Sequence, residues 1–426
     1  MQSRRMVTSA SVGEVSELDE APATPVAGTR KRLDHIDAMR PIKQAAVIST
    51  HTLIFFAPLA TSTAVVGLVM VTRFSREAFL FVSACMLAYS YKDTQKVALN
   101  HYIKRRFLSI GVPYLAWTVI YFLFTTLTHI KGTPYSLRHS TVVSWAGYHY
   151  FVHLLLTGYY HLYYLLVIGE FYVLFPLLLK FIRRFSRWHS HIMVVAVLWQ
   201  IAFGVMVSAN YFGFSIPGFL QTRLITSYPV YIIGGVIVAL HLDAVHQWIC
   251  DKARWIIALT LLSGVGAEVL CYLGRHSNLS PFLRTGGNVY APGILPFNVG
   301  AILCVYLLGV HLVSPERRLR TRAIVKSGSD NSYGVYLSQM LWIPILMWAR
   351  SHIGVQIPWP VAAPLALVLV YFMGYFFTGL ITRTPLARAV AGRGQQTWGS
   401  LIPKRYGASE LLKVETGDGP MDVESE

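Results

Sequence analysis

Runs of about twenty apolar residues, separated by short basic stretches, set the pattern of this chain from residue 41 to residue 381. A bilayer core is crossed by about twenty largely apolar residues in helical form. Ten segments approximate that length, the sixth short and the second long: 41–60, 63–91, 111–129, 158–179, 190–212, 225–240, 255–274, 292–313, 332–349 and 359–381. The pattern predicts an all-α, polytopic integral membrane protein with about ten transmembrane helices. Residues 1–28 are rich in Ser, Ala, Glu, Thr and Pro and hold no apolar core, which predicts a disordered tail. From Thr384 onward the chain turns polar again and ends in the acidic stretch "VETGDGPMDVESE". The expected organisation is therefore a tail (1–28), a membrane domain (29–383) and a second, largely disordered tail (384–426).

Composition agrees with this reading, at 54% hydrophobic and 13% charged residues and a mean hydropathy of +0.48. In a soluble domain the net charge of +17 would suggest a nucleic-acid partner. Its distribution says otherwise. With the N-terminus inside, the inner segments hold 28 of the 37 Lys and Arg residues, and the outer loops hold only Lys131, Arg138, Arg223, Arg275, Arg284 and Arg350. That asymmetry places both termini in the cytoplasm and makes the basic excess a topology signal; the plasma (inner) membrane is the expected location. No nucleic-acid partner is expected. The four cysteines, Cys85, Cys250, Cys271 and Cys304, show no metal-ligand spacing, and no metal site is expected.

Lys43, Arg73 and Arg76 are the basic residues left inside spans, where ionisable groups are costly and mark sites or pathways. His51 falls in the first span. Eleven residues separate it from Arg40, so at roughly 100° and 1.5 Å per residue the two lie on nearly one helix face, about 16 Å apart along the axis. Arg is a permanent cation suited to phosphate, and a neutral imidazole accepts a proton at physiological pH. Together they suit a long ligand with an anionic head in the cytoplasm and a reactive end within the bilayer. Coenzyme A carrying an acyl thioester has that shape. Taken alone, Arg40 also fits a simple topology anchor snorkelling to lipid headgroups.

The stretch "RLDHIDAMRPIKQAAVISTH" (32–51) resembles the first-span signature of acyltransferase family 3, the multi-spanning membrane O-acyltransferases, in which an Arg, ten residues and a His form the hallmark. The similarity continues through "TRFSREAFLFVSACML" (72–87), "YIKRRFLSIGVPYLAW" (102–117), "GYYHLYYLLVIGEFYVLFPLL" (158–178) and "SDNSYGVYLSQ" (329–339). The third and fourth of these stretches are most similar to the branch that decorates extracellular polysaccharides. The resemblance implies that acyl-CoA is a co-substrate rather than a bound cofactor, and that the acceptor is a hydroxyl of a glycan or glycolipid. It also implies cell-envelope polysaccharide assembly proteins as partners, and roles for Arg40 and His51 in donor use and catalysis. The chain departs from the pattern at Ser109, where a second basic residue is common, at Ser83-Ala84 in place of Ser-Gly, and at Gln339 in place of a His.

Supporting residues follow. Arg105 and Arg106 are placed to clamp donor phosphates beside Arg40, or simply to add positive-inside charge. Arg73 and Glu77, four apart, can pair on one helix face with Arg76 nearby. Glu77 then either orients the His51 imidazole or belongs to a structural ion pair, while an Arg stabilises the oxyanion of the attacked thioester. Tyr160 and His161, at the expected outer mouth of the fourth span, and Glu170 within it, are candidates for acceptor contact with Arg73 and Arg76. The rival readings are a secondary transporter or flippase using the same buried charges as a path, and a scaffold of an export complex.

Overall fold

The computed structural model describes residues 33–59, 61–94, 97–128, 143–209, 218–276, 290–315, 317, 319–353 and 357–396, and among these there is no strand. The expected tail at 1–28 and all residues after Gln396 lie outside the described residues. The chain runs through α1 (Asp34–Phe56), α2 (Thr63–Thr72), α3 (Phe74–Tyr91), α4 (Leu99–Arg106), α5 (Val112–Leu127), α6 (Trp145–Thr157), α7 (Tyr163–Arg184) and α8 (His189–Ala209). It continues through α9 (Gly218–Arg223), α10 (Pro229–Leu240), α11 (Leu242–Asp251), α12 (Ala253–His276), α13 (Leu295–Val313), α14 (Leu319–His352) and α15 (Trp359–Ile381).

Six described stretches are both long and apolar enough to cross a membrane: Leu99–Leu127, Tyr160–Arg184, Ser186–Val207, Ala253–His276, Pro292–Val313 and Trp359–Ile381. A seventh is counted if α10 and α11, bent by 105° at their junction, form one span. These match seven of the ten expected segments. The other three, 41–60, 63–91 and 332–349, are helical as α1, as α2 with α3, and as part of α14, yet none passes the same test of length and apolarity. The reason is polar content. Helix α1 buries Asp37, Lys43, Gln44, Thr50 and Thr52, and α14 buries Ser329, Ser332, Ser338 and Gln339.

Such side chains are tolerated at membrane depth when they meet protein rather than lipid. Helix α1 is accordingly packed among α2, α3, α13, α14 and α15. The apolar helices do the opposite: only 22% of the most apolar window of Ser186–Val207 is buried, and 28% of that of Ala253–His276. Polar helices thus share the centre with the apolar α13, while these two apolar helices lie at the periphery.

Two segments differ from the sequence pattern. Trp145–Thr157 is helical (α6) where a loop at 130–157 is expected. Helices α4 and α5 join through a wide π turn at Phe107–Gly111. Pro113 supplies the cause, since it has no N–H to return to the Ser109 carbonyl and the helix must open there. Beyond α15, the residues from Thr384 to Gln396 fold back as a strap: Trp117 Nε1 donates to the Val390 carbonyl at 2.8 Å, and the Gln396 N–H donates to the Thr382 carbonyl at 2.7 Å. This part of the expected C-terminal tail is packed on the bundle, although no apolar run announces it.

Candidate active site

The second expected span breaks at Arg73. Helix α2 ends at Thr72, and Arg73 sits in the turn that caps α3. A continuous helix would pair Arg73 with Glu77. In the structure Glu77 is taken by its neighbour Arg76, with Nη2 to Oε1 at 2.6 Å and Nε to Oε1 at 3.2 Å. Arg76 also donates to the Tyr290 hydroxyl at 3.3 Å and lies over the rings of Tyr228 and Tyr290. The expected i,i+4 pair is therefore replaced by a buried pair of adjacent residues.

The break leaves room for a chamber of about 310 Å³ between α1, the start of α3, the turn at 160–162 and α14, lined by His51, Arg73, Arg76, Tyr160 and His161 among others. Five of the residues singled out in the sequence thus converge on one cavity. His51 faces Tyr160 with ring centroids 5.3 Å apart and His161 at 6.5 Å. The Nδ1 of His51 is buried and has no hydrogen-bond partner among the described residues. His161 is 3% exposed rather than at an outer mouth, and it stands edge-on to Tyr121 and Tyr336.

Local backbone geometry explains how His161 gets there. Gly158 has φ +74°, and a Cβ on it would lie 2.4 Å from the backbone nitrogen of Tyr163. Tyr160 follows at φ +39°, a left-handed conformation that an aromatic residue adopts only under strain. The pair of unusual dihedrals folds "GYYH" inward, so that Tyr160 and His161 both reach His51.

Two expected site residues stand apart from this chamber. The Glu77 carboxylate pairs with Arg76 rather than with His51 and does not line the cavity. Glu170 accepts the Ile225 N–H at 2.9 Å and braces the turn before α10, and it too is absent from the chamber wall.

Arg40, Arg105 and Arg106 come together elsewhere, around a cavity of about 500 Å³ that also holds Lys43 and Arg393. Arg40 is tied to Asp37 at 3.3 Å, and Arg106 lies over the rings of Tyr102 and Tyr172. Among the described residues Asp330 is the one carboxylate on this wall. The basic cavity and the histidine chamber share three residues, Phe79, Tyr164 and Tyr336, whose rings contact one another with centroids 5.5 to 6.5 Å apart. Tyr164 and Tyr336 are tethered, donating to the Arg76 and His161 carbonyls at 3.1 and 2.6 Å. Phe79 has no polar group with which to be tethered. The buried Lys43 Nζ lies over its face, 2.8 Å from the ring centre.

In the sequence Lys43 is noted only as a basic residue inside a span, and the three aromatic residues are not singled out. The signal for Lys43 was its position three residues after Arg40, on the same helix face. The aromatic wall carries no such signal, because its members come from three separate helices.

The family model described as the acyltransferase domain matches residues 33–383, all of the bundle from α1 to the end of α15. Neither the curated proteins nor the solved structures offer a match. Polar helices at the centre with apolar helices at the periphery, a hallmark Arg and His on two adjoining cavities, and a match over most of its length show that the chain belongs to acyltransferase family 3, as a multi-pass membrane acyltransferase.

Proposed function

We propose that this acyltransferase moves an acyl group from acyl-CoA, entering at the basic cavity, to a hydroxyl of a glycan or lipid-linked glycan held in the histidine chamber. In this reading the basic face is cytoplasmic, the membrane is the plasma membrane, and the acceptor arrives from the opposite side. The observation that carries it is the shared wall: a cavity with Arg40, Arg105 and Arg106 adjoins a chamber with His51 across only Phe79, Tyr164 and Tyr336.

The chemistry follows from the residues. Guanidinium groups bind phosphate oxygens in pairs of charge-assisted hydrogen bonds, which suits Arg40, Arg105 and Arg106 to the donor's phosphates. The pantetheine arm then passes the aromatic wall and brings the thioester to His51. The imidazole takes the proton of the acceptor hydroxyl as its oxygen attacks the carbonyl carbon. Arg73, on the same chamber wall, stabilises the oxyanion. Collapse of the tetrahedral species breaks the C–S bond, and the leaving thiolate takes the proton back from the imidazolium. One ester forms, one thioester is lost, and His51 ends neutral.

The test is direct. Purified protein in detergent should be stabilised against heat by CoA and should release free thiol slowly from acetyl-CoA. Surface glycans from cells carrying the intact protein should gain the acyl mass that cells with His51→Ala lack. Substrate movement across proteoliposomes without any thiol release would replace this reading with the transporter.

The wall has a function of its own in this mechanism, because water reaching the thioester would hydrolyse it. Phe79→Ala removes the ring without a hydrogen bond, while Tyr164 and Tyr336 keep theirs. The expected outcome is a several-fold rise in the ratio of thiol released to acyl group transferred. An unchanged ratio in a folded variant would show that the wall does not exclude water.

A further inference from the structure

The match to the family model ends at residue 383, yet the strap beyond it builds part of a cavity. Arg393 Nη1 donates to the Asp330 carbonyl at 2.6 Å, and Gln395 Nε2 donates to the Arg383 carbonyl at 3.1 Å. Gly392 turns the strap inward at φ +67°, where a Cβ would lie 2.4 Å from the Tyr333 ring. Only glycine fits there. The turn brings Arg388 and Arg393 opposite His101, Lys104 and Arg105 around a cavity of about 350 Å³ with no carboxylate among its lining residues. This outer cradle shares Arg105, Ser109, Gly392 and Arg393 with the larger basic cavity that holds Arg40. Positive-inside charge accounts for basic residues near a membrane face, but it gives no reason for them to surround a hollow adjoining the cavity that holds Arg40.

Two adjoining anion sites call for a ligand with two separate anionic groups at one end. Coenzyme A carries a diphosphate and, on the ribose of the same nucleotide, a 3′-phosphate monoester. Resting on the acyl-CoA reading above, the geometry points to the outer cradle as the site of that 3′-phosphate, with Arg388, Arg393 and Lys104 as its ligands, while Arg40, Arg105 and Arg106 hold the diphosphate. The C-terminal strap is then part of the donor site.

The experiment compares binding of CoA and 3′-dephospho-CoA to the full-length protein in detergent, for the wild type, Arg388→Ala and Arg393→Lys. Arg388 is exposed, so its truncation leaves the packing of the strap alone. The wild type should prefer CoA by roughly ten- to a hundredfold, the range of one or two hydrogen bonds to a charged group. In Arg388→Ala most of that preference should vanish, with the loss falling on CoA and sparing the dephospho analogue. Arg393→Lys, which keeps the charge, should retain more of it. Equal wild-type affinity for both ligands, or an equal loss of both in Arg388→Ala, overturns the inference while leaving the donor reading intact. Failure of the wild type to bind either ligand overturns both.

Discussion

His51→Ala is expected to lower acyl transfer by about 10²- to 10⁴-fold, the range that a positioned general base contributes, while leaving the protein folded. Both halves follow from the environment of the side chain. His51 lines the chamber with Arg73 and Tyr160, and its buried Nδ1 meets no partner among the described residues. Truncation therefore forfeits contact with the Tyr160 ring at 5.3 Å but breaks no network. A buried group that satisfies nothing is costly to keep, and its persistence in α1 is best explained by a partner that arrives with substrate. The measurement is single-turnover transfer from acetyl-CoA, read beside CoA affinity. Affinity should change little, because the proposed phosphate ligands lie across the aromatic wall from His51. His161→Phe supplies the contrast. It keeps the edge-on packing against Tyr121 and Tyr336 while removing the second imidazole, and with His51 as the base it should retain transfer within about tenfold. A loss in His161→Phe as deep as that in His51→Ala would reassign the base to His161 or to the pair.

Much of this site was legible in the sequence because its first element is a helix and helices are periodic. The spacing of Arg40 and His51 fixed two positions on one face of α1, and the structure sets them on adjoining cavities. Arg73 and Arg76 were found by the cost of burying charge in a membrane, and Tyr160 and His161 as part of the His and Tyr crowding at the outer end of the fourth span. What stayed hidden depended on backbone breaks. Arg73 and Glu77 are four apart, a pairing distance in a helix, but the chain turns at Arg73 and the partner becomes Arg76. Gly158 and Tyr160 redirect the chain through left-handed dihedrals, which placed His161 inside rather than at the mouth. The three polar helices α1, α3 and α14 looked like ordinary spans by length, and only their packing shows that they lie at the centre. The strap at 384–396 was invisible for a different reason: it packs through single anchors, such as the Val390 carbonyl on Trp117, and leaves no periodic trace.

Arg76→Met should destabilise the protein more than any other single change at the site, by about 3–5 kcal/mol, the usual effect of removing one partner of a buried ion pair. The side chains of Arg76 and Glu77 are 13% and 3% exposed, so the orphaned carboxylate cannot turn to water. Its second oxygen, Oε2, already lacks a partner among the described residues, which leaves Arg76 as its main compensation. Arg76 also donates to Tyr290 and lies over two tyrosine rings, and those contacts go with it. Glu77→Gln should cost less, since the amide oxygen still accepts from the guanidinium. The double variant Arg76→Met/Glu77→Met should recover much of the loss, because replacing both charges by apolar groups of similar size removes the desolvation penalty along with the attraction. Thermal unfolding in detergent gives the order: wild type and double variant close together, then Glu77→Gln, then Arg76→Met. Transfer activity should separate the pair by function. Arg76 lines the chamber, whereas Glu77 does not. The double variant should therefore be stable yet impaired, and Glu77→Gln less stable yet active. If Glu77→Gln lost transfer as deeply as His51→Ala without unfolding, the carboxylate would have a catalytic role that its position beside Arg76 does not explain.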